Sequence, residues 1–265
     1  MEYVHTIILG LIQGVAEFLP ISSSGHLVIA GALLDSYSTT SLPKEGALLE
    51  IALHFGTLLS ILVVYRNDLW QVLKDFRTLA MIVIATIPVG FAGLLLKDHV
   101  DEIFSKPLLA GVALLFTAAF LLIGKWLQNR KAAVDRMSTG SAIAIGLFQA
   151  VAIIPGISRS GSTIAAGLAC GLKRADAARF SFLIAIPAIG GASVVKMKDF
   201  VTGEATLGGN LWPVVAGTVV AFVVGIVALK WLIRLVVADR LHWFAMYCII
   251  AGLATIAWQL SIGGT

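Results

Sequence analysis

The chain has 265 residues, 58% of them hydrophobic and only 13% charged, with a mean hydropathy of +0.95. An ordinary soluble domain carries about 25% charged residues, so these values exclude a soluble enzyme and imply an integral membrane protein that crosses the bilayer several times. The net charge of +4 calls for no nucleic-acid partner, because membrane topology accounts for it.

In chain order, the opening MEYVHT contains no Lys or Arg and does not read as a secretory signal. The segment at about 4–34 is apolar but broken in its middle by Pro20 and a run of serines. It is long enough to enter the membrane and return, and reads as a re-entrant pair of half-helices. Such backbone is tolerated at membrane depth only where it is buried in protein or lines a cavity. Apolar stretches at about 47–65, 79–96 and 107–127 follow, each near the roughly 20 residues that a crossing helix needs. A second broken segment lies at about 140–170, and three further spans at about 178–197, 211–232 and 243–262. Trp126, Trp212, Trp231 and Trp243 fall near span ends, where an aromatic belt belongs. Cys170 and Cys248 lie in apolar surroundings and read as packing residues rather than a disulfide or a metal pair.

Thirteen of the 19 Lys and Arg residues lie in the connections near 66–78, 125–136, 171–179 and 230–240. Lys44, Lys97, Lys106, Lys196 and Lys198 occupy the opposite set, and Arg159 stands apart within an apolar stretch. The richer set is expected in the cytoplasm, which puts both termini outside, the first broken pair entering from outside and the second from inside. The expected fold is therefore an all-α polytopic membrane protein: one membrane domain with six full spans and two re-entrant half-helix pairs. Its halves form an inverted-topology repeat at about 1–78 and 138–210, with extra spans at about 79–127 and 211–262.

The repeat is visible in the residues. Gly10 to His26 reads GLIQGVAEFLPISSSGH and Gly146 to Ser162 reads GLFQAVAIIPGISRSGS, identical at nine of 17 positions without a gap. Paired broken segments in matching halves point to a binding site near the midplane. The copies differ where one has Glu17, Ser23 and His26 and the other Ile153, Arg159 and Ser162, so a shared frame carries different chemistry from each side.

Gln13 and Glu17 are four apart and share one helix face. An intramembrane carboxylate is a functional-site candidate by default; the plainer reading of Glu17 is a structural hydrogen bond between helices, and Gln13, also Gln in the repeat, could simply brace the fold. Ser22, Ser23 and Ser24 are good N-cap residues for the helix after Pro20, and a helix N-terminus with free N–H groups suits an anion. Gly25 permits close backbone approach. His26 could act as acid or base near neutral pH, or be a buried histidine beside a cap. Arg159 in the second copy needs an anion: either Glu17 or a bound phosphate, with Ser158, Ser160 and Thr163 adding donors. Hydroxyls, a carboxylate, a histidine and an arginine converging in a membrane cavity suggest phosphoryl transfer. Ser23 is the preferred nucleophile over His26 or an activated water, because it lies opposite Arg159 in the repeat. Glu17 or His26 would take its proton, or Glu17 would hold a divalent cation, Mg²⁺ or Ca²⁺. Glu50 and His54, four apart at the head of a span, are read as cavity-lining or as supporting hydrogen-bonding residues. Asp98, His99, Asp101 and Glu102 read as a solvated turn. The rival function is a transporter or flippase of a polyprenyl phosphate or a small anion, since broken helices in inverted repeats serve carriers too.

Gln13–Glu17 followed by Ser22-Ser23-Ser24-Gly25-His26, and the stretch Pro155 to Thr163, PGISRSGST, resemble the two motifs of the bacterial undecaprenyl pyrophosphate phosphatases. The resemblance covers essentially the whole chain. It implies removal of the terminal phosphate from undecaprenyl pyrophosphate at the outer face of the cytoplasmic (inner) membrane. That reaction recycles the lipid carrier for peptidoglycan synthesis and confers bacitracin resistance. The resemblance also implies a divalent cation, a polyprenyl pyrophosphate lipid as partner, and central roles for Glu17, Ser23, His26 and Arg159. Ser22, Ser158, Ser160 and Thr163 would surround the phosphates. A homodimer is left open. Gln13 stands where relatives can have Glu, which leaves Glu17 to carry the negative charge alone.

Overall fold

The computed structural model describes residues 2–37, 47–96, 99, 106–129, 133–134, 137–201 and 211–263. The regular elements among the described residues are all helices: α1 (Glu2–Ala16), α2 (Ser23–Tyr37), α3 (Ala47–Val64), α4 (Arg66–Val72), α5 (Phe76–Leu96), α6 (Pro107–Gln128), α7 (Thr139–Val151), α8 (Arg159–Ala169), α9 (Arg174–Val201), α10 (Leu211–Val237) and α11 (Leu241–Gly263). Five of them, α5, α6, α9, α10 and α11, are long and apolar enough to cross a membrane. The sixth predicted span is α3, 18 residues long. Both broken segments are pairs of short helices, α1 with α2 and α7 with α8. This is the architecture of a multi-pass membrane protein.

Residues that would be a liability in water have a simple reading here. On α5, Val83, Ile87, Phe91, Leu94 and Leu95 are exposed, an outward stripe at helical spacing that suits contact with acyl chains. The four tryptophans predicted near span ends are likewise exposed. The core instead gathers around the helix breaks. Phe18, just past the end of α1, is fully buried and its ring lies 5.8 Å from that of Phe182, which in turn lies 6.1 Å from Tyr65.

Glycines set how closely the short helices dock. A Cβ on Gly10 would collide with the Gly217 carbonyl of α10. At the matching repeat position, a Cβ on Gly146 would lie 2.5 Å from the Ala85 carbonyl of α5. The same glycine thus seats α1 on α10 and α7 on α5. Two further helices, α6 and α3, complete the surround: α6 packs on α2, α8 and α11, and α3 on α1, α9 and α10.

The connection expected at about 66–78 contains an unforeseen short helix, α4. Asp68 in its first turn pairs with Arg179 of α9 at 2.6 Å, so a charge pair to a distant helix, rather than any apolar period, anchors it. On the same basic-rich side, Asp239 pairs with Lys125 at 3.3 Å and Arg174 at 3.2 Å. Lys44, Lys97, Asp98, Asp101 and Glu102, together with the side chains of Glu50, Lys196 and Lys198, lie outside the described residues; His99 is exposed.

Two expectations follow from these contacts. Gly146→Leu should lower the detergent melting temperature sharply, by overpacking worth about 1–3 kcal/mol or more, whereas Gly90→Ala, which meets nothing within 4 Å, should leave it nearly unchanged. Asp75 caps α5 by accepting from Thr78 Oγ1 at 2.6 Å and from the Arg77 and Thr78 amides, and the Thr78 bonds hold its carboxyl below the ordinary 3.8. Its stabilisation is present above that value and lost as pH falls through the lower folded one. The melting difference between wild type and Asp75→Asn should therefore shrink on acidification below 3.8.

Candidate active site

The first turn forms because Pro20 has no N–H with which to continue α1. The last amides before it are still satisfied, Glu17 N on Gln13 O at 2.9 Å and Leu19 N on Val15 O at 3.2 Å. Ser22 then takes a left-handed backbone, φ 66°, and its Oγ accepts from Gly25 N at 3.3 Å. In the second turn Ser158 Oγ accepts from Gly161 N at 3.1 Å. These are matching positions of the repeat, so each copy caps its second half-helix in the same way. The left-handed residue differs: in the second copy it is Gly156, φ 98°.

The two turns touch. Ser22 Oγ also accepts from Gly156 N at 3.0 Å, and a Cβ on Gly25 would sit 2.6 Å from Gly156 Cα. Thr117 of α6 pins the second turn, its Oγ1 donating to Gly156 O at 2.8 Å and accepting from Ser158 N at 2.9 Å. Sequence reasoning missed Thr117, and no signal marked it: one threonine in an apolar span ordinarily bonds its own helix.

Between the turns lies a cavity of about 160 Å³. Glu17, Ser22, Ser23 and Ser24 line it from the first copy and Ser158 and Arg159 from the second. His54 of α3 completes the polar lining, so the residue ranked below His26 in the sequence is the histidine that faces this space. Arg159 Nη2 donates to Glu17 Oε1 at 2.5 Å. Gln13 Nε2 donates to Glu17 Oε2 at 3.1 Å, and His54 Nε2 stands 3.9 Å from the same oxygen, a gap that one water can bridge. The Arg159 guanidinium also lies 5.9 Å from the Phe182 ring centre. Its Nη1 is buried with no hydrogen-bond partner among the described residues.

Other sequence candidates stand behind this lining. Gln13 acts through Glu17. Ser160 is buried, with its Oγ 3.2 Å from Ser158 Oγ and 3.4 Å from Leu19 O. Thr163 is fully buried; its hydroxyl bonds Arg159 O at 2.8 Å and Ser181 Oγ at 2.6 Å, supporting the turn from within. Gly25 supplies the close approach between turns. His26 is not among the lining residues, and both its ring nitrogens are engaged, on Ser22 O and Tyr247 Oη. Cys248, buried, contacts Pro20 O through Sγ at 3.6 Å, a packing role as its surroundings implied.

Residues 6–254 match the family model described as bacitracin resistance protein BacA. The chain belongs to this family. It is 48% identical over 260 residues to an undecaprenyl-diphosphatase of Rhodopirellula baltica, covering 98% of this chain and 99% of that one. Undecaprenyl-diphosphatases of Bacteroides thetaiotaomicron, 40% identical with 98% and 100% of the two chains covered, and of Christiangramia forsetii, 39% identical with 97% and 98% covered, are similar to it over the same extent.

The Glu17 and Arg159 side chains are only 9% and 16% exposed. Removing one partner of such a pair strands the other charge, at a cost of about 3–5 kcal/mol. Arg159→Ala is expected to melt well below wild type, and Glu17→Gln/Arg159→Ala to recover much of that loss, measured by thermal unfolding in detergent.

Proposed function

We propose that this protein is a membrane phosphatase that hydrolyses undecaprenyl diphosphate to undecaprenyl phosphate and inorganic phosphate. The observation that carries this reading is Arg159, which holds Glu17 with one nitrogen and keeps a second, buried donor without a partner among the described residues, beside two serine-capped helix starts in one cavity. A terminal phosphate is the group that such donors fit. The names of the relatives support the diphosphate as substrate.

In the proposed reaction the diphosphate end of the lipid enters between the turns, and Arg159 with the amides at the starts of α2 and α8 orients the terminal phosphoryl group. Ser23 Oγ attacks that phosphorus. The Oγ–P bond forms, the bond from phosphorus to the bridging oxygen breaks, and its electron pair leaves with the lipid monophosphate. The serine proton passes to Glu17. Water then attacks the phosphoserine, the P–Oγ bond breaks, and Ser23 regains a proton as phosphate departs. The net change is one water consumed per diphosphate cleaved.

A divalent cation belongs to this proposal. Among the described residues no three His, Cys, Asp or Glu side chains cluster as a protein-only cage. Glu17 with neighbouring serine hydroxyls does suit a hard cation that also takes substrate phosphate oxygens, the way Mg²⁺ is commonly held. Bound there, it would neutralise phosphate charge.

The wider reading is an inverted-topology repeat in the cytoplasmic membrane, oriented as the basic-residue bias suggests, with the cavity opening to the outer face as the resemblance to the undecaprenyl pyrophosphate phosphatases implies. Lipid carrier would thereby return to peptidoglycan synthesis, and depletion of the diphosphate would protect against bacitracin.

The test is phosphate release from undecaprenyl diphosphate by purified protein in detergent, with Mg²⁺ or Ca²⁺ and with chelator. Wild type should release phosphate only with metal. Ser23→Ala should abolish release, and Arg159→Lys should slow it by about 10²–10³-fold through loss of one charge-stabilising donor. Absence of release from well-folded wild type in every condition would move the function to transport of a lipid phosphate or small anion.

A further inference from the structure

His26 is the one titratable member of the sequence motifs whose ring lies apart from the cavity lining. Its Nδ1 is 2.7 Å from Ser22 O and its Nε2 2.7 Å from Tyr247 Oη. The imidazole stacks on the Tyr247 ring, with centres 5.6 Å apart and planes 15° from parallel. A carbonyl oxygen only accepts, so Nδ1 carries its proton in either charge state of the ring. The nitrogen left to gain or lose a proton is Nε2, and it faces Tyr247 on α11 rather than Ser23.

The repeat says what the Nδ1 bond is for. Ser162 occupies the position of His26 in the second copy, and its Oγ donates to Ser158 O at 2.7 Å. Ser158 is the counterpart of Ser22. Two different side chains thus make the same bond, at the same length, to the carbonyl of the same capping serine. In the first copy this carbonyl belongs to a non-glycine residue at φ 66°, a backbone that persists only when its surroundings fix it. The His26 amide also donates to Ser22 O, at 3.2 Å, so one residue closes on that turn twice. A hydroxyl suffices for the second copy, whereas the longer imidazole must itself be held, and Tyr247 does this by a hydrogen bond and by stacking.

We infer that His26 and Tyr247 form a positioning pair that holds the Ser22 turn, as Ser162 does for the Ser158 turn, so that Tyr247 is a positioning residue of the site and His26 is neither its nucleophile nor its base. This inference rests on the phosphatase reading above for its assay. It leaves Ser23 as nucleophile and removes His26 as proton acceptor.

The deciding comparison is His26→Ser against His26→Ala, since serine can restore the bond seen at Ser162 but can replace neither a histidine base nor a histidine nucleophile. Phosphate release from undecaprenyl diphosphate would be followed across pH for purified full-length wild type, both variants, Tyr247→Phe and Ser23→Ala, with each melting temperature recorded. His26→Ala is expected to lose about tenfold or more in kcat, and His26→Ser to recover most of that loss with both limbs of the pH–rate profile where wild type has them. Tyr247→Phe should cost about 2–10-fold in kcat, the worth of one hydrogen bond, and add nothing further in the His26→Ala background. His26→Ser as inactive as Ser23→Ala, or lacking a limb of the profile, would overturn the inference and make His26 a proton-transfer group. Tyr247→Phe at the wild-type rate would remove Tyr247 from the site. Should Tyr247→Phe not fold, the serine–alanine comparison still decides for His26. No release by wild type itself would instead overturn the phosphatase reading, with Ser23→Ala then indistinguishable from it.

Discussion

The two halves of this molecule meet backbone to backbone at their breaks through a hydrogen bond, Ser22 Oγ accepting the Gly156 amide, 134 residues away in sequence. It is buried, where an unmade bond costs about 1–3 kcal/mol, and it can form only because Gly25 lets the two backbones touch. Every functional distance at the site depends on that contact. With the turns in register, Glu17 at the end of α1 meets Arg159 at the start of α8, and the two serine-capped helix starts converge on one cavity. Thr117 holds the second turn from α6, and His26 with Tyr247 the first from α11, so helices outside the repeat fix what the repeat begins.

Residues shared by the two copies build the frame. Gly10 and Gly146 seat the first half-helices, and Ser22 with Gly25 and Ser158 with Gly161 cap the second ones. Under the proposed function the residues that differ carry the chemistry: a carboxylate where the other copy has Ile153, and a nucleophile candidate where it has a guanidinium. Gln13 and Gln149 expose the difference. Gln13 donates to Glu17, while Gln149 is buried with neither amide atom hydrogen-bonded among the described residues. The first glutamine has a charge to hold, and the second, one turn before an isoleucine, has none.

Features legible in the sequence were those carried by composition, period or repetition. The long spans announced themselves by apolar length, and the paired breaks by Pro20, Pro155 and the serines. Arg159 stood out because a lone guanidinium in an apolar stretch demands an anion; the ion pair with Glu17 uses Nη2, and under the proposed function Nη1 is the nitrogen left for phosphate. Features that were not legible come from single residues far away in the chain. Thr117 and Tyr247 each sit in a span whose pattern reads only as membrane helix, and their importance is set by which helix they face, whereas His54, read as cavity-lining or supporting from its spacing to Glu50, does line the cavity. The short helix α4 was hidden for a related reason: its anchor is Asp68 on Arg179, a pairing across more than a hundred residues that no local period records.

Charge balance at the cavity links the ion pair to the cation. Glu17 and Arg159 neutralise one another, so these side chains give the site little net charge, which suits its place in an apolar molecule, where an uncompensated charge is costly. A diphosphate brings several negative charges to that neutral site. The N-terminal ends of α2 and α8 offset part of them, each worth roughly half a unit charge. Arg159 Nη1 can donate to a phosphate oxygen while Nη2 stays on Glu17, so binding need not release the carboxylate and expose it. The balance still falls short, and under the proposed function the remainder is supplied by a divalent cation travelling with the substrate rather than by a second carboxylate or a further cationic side chain. Gln13 fits this arrangement: at that position it orients Glu17 through one hydrogen bond without adding a negative charge that the incoming phosphates would have to oppose.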